Sequence, residues 1–361
     1  MDDVELLETM LRIESLSGRE GEVARFLCDE MAVRGFRSWV DGVGNVIGER
    51  GDPTTGPTVL LLGHMDTVPG NIPVRVENGR LYGRGAVDAK GPLAAFISAA
   101  SRVKLAGRIV VVGAVEEESA SSAGAKHIAK AYNPDAAIIG EPSAWDRITV
   151  GYKGRLLVRY TVTRDSSHTA SDRQGACEAA VEYWQSVLGA VAEANRDRPP
   201  NTFERLSPSI RSMSSHTDGM RERATLQLGF RLPPGFDGDA WQEVLRGLTV
   251  DAELEFAAYE PSVRVAKNTT VARAFIQAIR HQGGDPRFVV KTGTSDMNVV
   301  NQTWQCPMLA YGPGDSTLDH TPDEHISLSE YQSAIDVLVG VLNELAITVG
   351  ATSHRAVPTA S

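Results

Sequence analysis

Five short runs along this chain set carboxylates and imidazoles at spacings that suit a divalent metal. Gly63-His64-Met65-Asp66-Thr67-Val68-Pro69 follows the apolar run Thr58 to Leu62. In a strand, residues two apart face the same way, so Asp66 is placed to orient His64 as a supporting carboxylate; alone, a His-x-Asp pair is also ordinary turn chemistry. Gly83-Arg84-Gly85-Ala86-Val87-Asp88-Ala89-Lys90-Gly91-Pro92 brings Asp88 to the start of a helix, where an N-cap is the plain alternative. Glu116-Glu117-Glu118 closes the strand Ile109 to Val115, and three adjacent carboxylates repel unless solvated or bound to cations. Gly140-Glu141-Pro142-Ser143 follows the strand Ala136 to Ile139, and Asp319-His320-Thr321-Pro322-Asp323-Glu324 follows the strand ending at Tyr311. Each alone is a cap or a turn. Together they bring two imidazoles and at least three carboxylates to strand ends, where open α/β sheets bind ligands, and this mixed nitrogen and oxygen set suits zinc or a similar ion.

Charge favours two metals over one. Two divalent cations carry four positive charges against three from Asp88, Glu118 and Glu141, so one hydroxide would neutralise the set. Metals roughly 3.5–4 Å apart activate such a water and polarise a carbonyl. Glu117 is then left beside them to take and return the proton.

These residues need a scaffold, and the hydrophobic pattern supplies one. Ser17 with Glu20 three residues on matches a capping box ahead of Val23, Phe26, Leu27 and Met31, predicting a helix that stops near Gly35. Strands and helices then alternate: Thr58 to Leu62, a helix after Gly91, Ile109 to Ala114, a helix around Ala125 to Ala131, and Ala136 to Ile139, which implies a largely parallel sheet. The long alternating strands Leu156 to Thr163 and Ala224 to Arg231, each followed by a helix near Gly175 to Ala194 and Asp239 to Leu248, predict a separate α+β unit. Asp197 to His216 lacks periodicity and reads as a long loop. The α/β pattern resumes near Pro261 with a helix over Thr270 to His281, a strand over Pro307 to Tyr311 and a final helix after Ser327; Gly350 to Ser361 reads as a frayed tail. The expected division is therefore one domain over 1–152 and 263–361, with 153–262 inserted into it.

Composition narrows the function classes. A formal net charge of −10 argues against nucleic-acid binding. No apolar run approaches the roughly 18 residues of a membrane span, and the opening Met1-Asp2-Asp3-Val4-Glu5 does not resemble a secretory signal, so a cytoplasmic protein is expected. Cys28, Cys177 and Cys306 are too scattered for a disulfide framework or a thiolate metal site; Cys28 and Cys177, on helices, read as small buried hydrophobes. His127, His281 and His354 fall on a helix, at a helix end and in the tail and are set aside; His325 is the neighbour that competes with His320.

In order and over nearly the whole chain, the five runs resemble the motifs of the peptidase M20 family of dinuclear zinc hydrolases. The resemblance implies an α/β zinc-peptidase-like catalytic domain carrying an inserted α+β dimerisation, or lid, domain, in a homodimer. It makes His64 and Glu141 ligands of one ion, Glu118 and His320 ligands of the other, Asp88 the bridge, Glu117 the general base and Asp66 the support of His64, with two Zn2+ or Co2+ ions per subunit. His320 is preferred to His325 for its spacing to Glu324. The family usually has Asp-Glu-Glu where this chain has Glu116-Glu117-Glu118, and Glu141 resembles the deacylase and desuccinylase branch. Ser167-His168-Thr169 fits the place of a lid histidine that crosses to the partner's site and stabilises the oxyanion.

The runs Gly151-Tyr152-Lys153-Gly154-Arg155, Lys291 to Asn298 and Ala310 to His320 resemble the branch that frees lysine or ornithine from a small acidic carrier protein. That resemblance implies substrate contacts from Arg231, Thr294, Ser295, Asp296 and Asn298, and Arg196, Arg198, Arg205, Arg211, Arg221 and Arg223 are candidates for meeting the carrier. Two alternatives stand beside it: a small-molecule N-deacylase acting on acetylornithine or succinyl-diaminopimelate, and a non-catalytic carrier-binding protein.

Overall fold

A computed structural model of the chain describes residues 1–103, 106–168 and 170–353, with side chains described as far as residue 345. The chain forms two compact units, one of Met1–Gly151, Val265–Val290 and Ser295–Ser361, the other of Tyr152–Arg264 with Lys291–Thr294. The short segment Lys291–Thr294 thus belongs with the inserted unit, although the sequence pattern groups it with the flanking one. Thr169, His354 and the tail from 354 to 361 lie outside the described residues. Residues 350–353, expected to be frayed, continue the last helix, Leu328–Ser353.

The larger unit is built on a mixed sheet around the strand Thr58–His64, every residue of which is buried. A continuous apolar run with no polar alternation has no face to offer water and is stable only with both faces covered. Its neighbours on either side, Arg108–Ala114 and Ala136–Ile139, run parallel to it, and Met308–Ala310 runs parallel to the latter. Val46–Gly51, Arg37–Val40 and Arg147–Tyr152 extend the sheet with antiparallel pairings. Because the three central strands are parallel, their C-terminal ends meet at one edge, and those ends carry His64, Glu116–Glu118 and Glu141. The helix Lys90–Arg102 is buried over its first eleven residues and packs on the strand Thr58–His64 and on the final helix, as expected of a helix apolar all round. Gly63 makes room for it, since a Cβ there would lie 3.3 Å from Leu93 Cβ. Truncating a core side chain such as Leu61, which is 0% exposed, would cost about 2–5 kcal/mol.

At the N-terminus the structure departs from the sequence reading. A first helix, Asp3–Arg12, is closed by a capping box between Asp2 and Glu5. The next helix, Gly21–Val33, begins with no side-chain cap bond, so Ser17 and Glu20 do not form the predicted box. Cys177 is exposed rather than buried, because it sits in the first turn of the helix Ala176–Ala194 on the side away from its core face; Cys28 is half-buried.

The inserted unit is a four-stranded antiparallel sheet in the order Ser207–Thr217, Arg221–Leu232, Gly154–Asp165, Ala252–Glu260. Leu156, Val158, Tyr160 and Val162 alternate onto one face and join Leu226, Leu228 and Phe230 beneath the helices Ala176–Ala194 and Gly238–Gly247. Tyr160 stacks on Tyr183 with ring centroids 4.0 Å apart. Ser207–Thr217, expected to be loop, is instead an edge strand: exposed nearly throughout, it shows no apolar period, and its backbone pairs with Arg221–Leu232.

Candidate metal centre

The strand Thr58–His64 delivers His64 almost fully buried, at 1% exposure. Its Nδ1 lies 3.0 Å from the Asp66 backbone oxygen. A carbonyl only accepts, so Nδ1 carries a proton, and the ring turns Nε2 inward to within 3.3 Å of Asp88 Oδ1. Asp66 therefore orients His64 chiefly through its main chain; its carboxylate is 3.5 Å from the ring nitrogen. That carboxylate has other partners: Oδ1 accepts the Glu117 N–H at 3.1 Å, and Oδ2 accepts the Glu118 N–H at 3.0 Å and the Ser17 hydroxyl at 2.7 Å. One side chain at the end of one strand thus fixes the acidic run at the end of its neighbour.

Glu116 takes a left-handed backbone, φ 60, which turns the chain after the strand Arg108–Ala114. Its carboxylate bonds the Ser121 hydroxyl, which leaves Glu117 and Glu118 to face the centre. Asp88 stands between both histidines, Oδ2 being 3.0 Å from His320 Nε2, which also lies 2.8 Å from Glu118 Oε1. Donor atoms of Asp88, Glu118 and His320 all fall within 4.8 Å of one another. His325 is not part of this cluster: its Nδ1 donates to the Asp323 carbonyl at 2.6 Å and its ring packs against Tyr82.

Glu324, in the sequence only a spacing mark for His320, is 1% exposed and structurally central. Its Oε1 accepts the backbone N–H groups of Val87 and Asp88 at 3.0 and 3.1 Å, and its Oε2 accepts Arg84 at 2.7 Å. The segment that carries His320 is thereby fastened to the segment that carries Asp88. Lys90, also buried, donates to the carbonyls of Met10 and Ile13 at 3.0 and 2.7 Å, and burial pulls its pKa down to about 8.

The electrostatics are those of crowded carboxylates. Burial raises Glu117 well above the usual range, with His64 pulling the other way and Glu141, Asp296 and Glu118 adding to the rise. Glu141 is raised well above it by burial and by Asp88, and Glu118 by burial against its bond to His320. For His64, burial opposes charging, but the bonds to Asp66 and Asp88 and the Glu117 charge outweigh it and hold the imidazole well above its ordinary pKa. His320 is lifted to about 10 by Asp88 and Glu118. Burial works against Asp88, but His320 and His64 hold its carboxyl well below the usual range.

The residues fit divalent cations. Glu141 Oε1 is buried with no hydrogen-bond partner, and a carboxylate oxygen in that position is costly unless something positive meets it. His64, Asp88, Glu118, Glu141 and His320 supply the hard oxygen and imidazole donors that zinc or cobalt takes.

The other expected site residues are placed differently. Arg231 donates to the Thr294 hydroxyl at 2.7 Å, which in turn donates to the Lys153 carbonyl at 3.0 Å, all within the inserted unit. Ser295 and Asn298 form a capping box on the short helix Asp296–Val300, and Asp296 is buried in its first turn. His168 is exposed, and its Nδ1 accepts the Ala170 N–H at 3.1 Å. Among the expected carrier-facing arginines, Arg196 pairs with Glu193, Arg198 lies over the Phe236 ring, and Arg211, Arg221 and Arg223 stand on strands instead of a loop.

A scan against family models matches residues 60–344 to peptidase family M20/M25/M40, and the chain belongs to that family. A LysW-lysine hydrolase of Deinococcus radiodurans is 47% identical over 353 residues, which cover 94% of this chain and 96% of that one. Among solved structures, the M20 family metallo-carboxypeptidase Sso-CP2 of Sulfolobus solfataricus superposes with a TM-score of 0.79 at 20% identity, over 96% of this chain and all of the other. The Bacillus subtilis YXEP protein, described as a dinuclear metal binding peptidase from the M20 family, gives 0.69 at 16% identity, over 96% and 98% of the two chains. At those identities the shared property is the fold. Among the described residues, no helix is long and apolar enough to cross a membrane.

Proposed function

We propose that this chain is a metal-dependent hydrolase that cleaves the amide joining the C-terminal glutamate γ-carboxyl of the carrier protein LysW to the α-amino group of lysine, or of ornithine. It would free the amino acid in the last step of lysine or arginine biosynthesis in the cytoplasm. The observation that carries the reading is the 47% identity to a LysW-lysine hydrolase over nearly the full length of both chains.

In this reading His64 and Glu141 hold one divalent ion, Glu118 and His320 the other, and Asp88 both. Bound there, two such ions would polarise the scissile carbonyl and lower the pKa of an attacking water. Glu117, half-buried and raised by its surroundings, accepts the proton of the water and returns it to the departing α-amino group. Asp66 holds Glu117 and Glu118 by their amides and His64 by its Nδ1–H. His168 of the partner subunit donates a hydrogen bond to the oxyanion, which makes a homodimer the active form and the inserted unit its dimerisation lid. Arg231, Thr294, Ser295, Asp296 and Asn298 contact the substrate, and Arg211 and Arg223, exposed on neighbouring strands, take part in meeting the acidic carrier.

Hydrolysis of lysyl-LysW by the zinc- or cobalt-loaded protein, assayed beside N-acetylornithine and N-succinyl-diaminopimelate, tests the proposal. Turnover of the carrier-borne amide alone is expected. Preference for a small amide would make the chain a small-molecule deacylase, and binding of the carrier without turnover would make it a silent carrier-binding protein.

A further inference from the structure

The run Ser17-Gly18-Arg19-Glu20 has the spacing of a helix cap and caps nothing. The Ser17 and Glu20 side chains turn toward Asp66 and Glu116 instead. Ser17 donates its hydroxyl to Asp66 Oδ2 at 2.7 Å. Glu20, 4% exposed, accepts the Glu116 N–H at 3.1 Å and, folding back on its own turn, the Gly18 N–H at 2.9 Å. Gly18 has φ +81, which lets the chain reverse between the two. The backbone just before the turn is laced alongside the His64–Thr67 segment: Leu16 and Thr67 form a parallel bridge, the Thr67 N–H donates to the Ser15 carbonyl at 2.9 Å, and the Ser15 hydroxyl donates to the Met65 carbonyl at 2.7 Å. Residues 15–20 are thus bonded both to the segment bearing His64 and Asp66 and to the Glu116–Glu118 run.

The consequence follows from how a carboxylate is held. Asp66 Oδ1 takes the Glu117 N–H, while Oδ2 takes the Glu118 N–H together with the Ser17 hydroxyl. The two amides come from one run and fix the carboxylate, whose terminal torsion is broad when unrestrained, only relative to that run; the Ser17 hydroxyl ties it to a second segment. Without the hydroxyl, these bonds to the carboxylate come from the Glu117–Glu118 run alone, and the carboxylate can shift together with the backbone it anchors. The cost falls on geometry at Glu117 and Glu118, where a small misplacement lowers rate strongly.

We propose that Ser17 is a positioning residue of the hydrolytic centre, acting through Asp66 on Glu117 and Glu118, and that Glu20 does the same for the turn at Glu116. The inference rests on the reading of Glu117 as proton carrier and Glu118 as ligand. It is tested on the full-length protein with Ser17→Ala, Ser17→Thr and Glu20→Ala, measuring kcat and KM on lysyl-LysW and the visible absorption spectrum and metal content of the cobalt-loaded proteins. Ser17→Ala is expected to keep its metal content, to lose about tenfold in kcat with KM within twofold, and to show a shifted cobalt spectrum, as supporting residues around metal ligands generally do. Ser17→Thr keeps the hydroxyl and restores both readouts, and Glu20→Ala behaves like Ser17→Ala. A Ser17→Ala protein with the wild-type spectrum and kcat overturns the inference while leaving the metal reading intact. A Ser17→Thr variant as impaired as Ser17→Ala also overturns it, since packing rather than the hydrogen bond would then be at stake. A wild-type protein that takes up no cobalt overturns the metal reading and this inference with it.

Discussion

Glu324 holds Asp88 by its backbone: Oε1 of the buried glutamate accepts the Asp88 N–H at 3.1 Å, across 236 residues of sequence. The same oxygen takes the Val87 N–H and the other takes Arg84. The bridging position of Asp88 between His64 and His320 is therefore set by the segment that also delivers His320.

Removing that carboxylate should loosen both stability and metal. Glu324→Ala leaves two backbone N–H groups and the Arg84 guanidinium without their partner, a loss of about 2–4 kcal/mol. Glu324→Gln keeps one oxygen for the amides but turns an NH2 toward Arg84, donor against donor, and should fall between the two. Urea unfolding gives the stabilities, and zinc affinity should drop by about tenfold in the alanine variant. Wild-type stability and zinc affinity in Glu324→Ala would contradict this role.

The charge state of the centre makes a pH prediction with a definite sign. Without metal, Asp88 and Glu118 push the His320 pKa up to about 10, against an ordinary value of 6.5. A group whose folded pKa is raised contributes stability that is full below its unfolded pKa and fades as pH climbs through the folded one. The EDTA-treated protein should thus lose stability between about pH 6.5 and 10. Metal requires the neutral imidazole, so zinc should stabilise more at pH 8 than at pH 6 and release protons on binding. Urea midpoints with and without zinc at several pH values check the first part and calorimetry in two buffers the second; a metal-free midpoint that rises across this range counts against the pairing.

His168 supplies a different signature. Its substitution by alanine should leave both metals and the fold untouched, because the side chain is exposed and its ring bonds locally to the Ala170 N–H. If it reaches a partner's oxyanion, kcat falls by about 10²–10³. Mixing Glu117→Gln and His168→Ala proteins should then recover part of the activity through hybrid dimers. No recovery, or near-normal kcat in His168→Ala, removes the histidine from the mechanism.

Much of this architecture is legible in the sequence where one periodicity has one structural meaning. The helix Thr270–His281 and the strand Ala136–Ile139 fall where the pattern puts them, the first marked by a Thr269 N-cap and the second by an unbroken apolar run. His320 and Glu118 come together as their motifs imply. Ser17-x-x-Glu20 misleads because a hydroxyl and a carboxylate three residues apart suit any nearby N–H or carboxylate, and here the nearest belong to residues 66 and 116. Ser207–Thr217 is hidden because an edge strand paired through its backbone needs no apolar face. Glu324 is hidden because its partners are main-chain amides, which no side-chain pattern encodes.

The most direct test of the account is the Glu117→Gln protein. Glutamine keeps the size of the residue and removes its capacity to carry a proton, while the five proposed ligands remain. The account predicts wild-type metal content, two ions per subunit, with kcat on lysyl-LysW lower by about 10²–10⁴. Near-normal kcat with full metal content would contradict it.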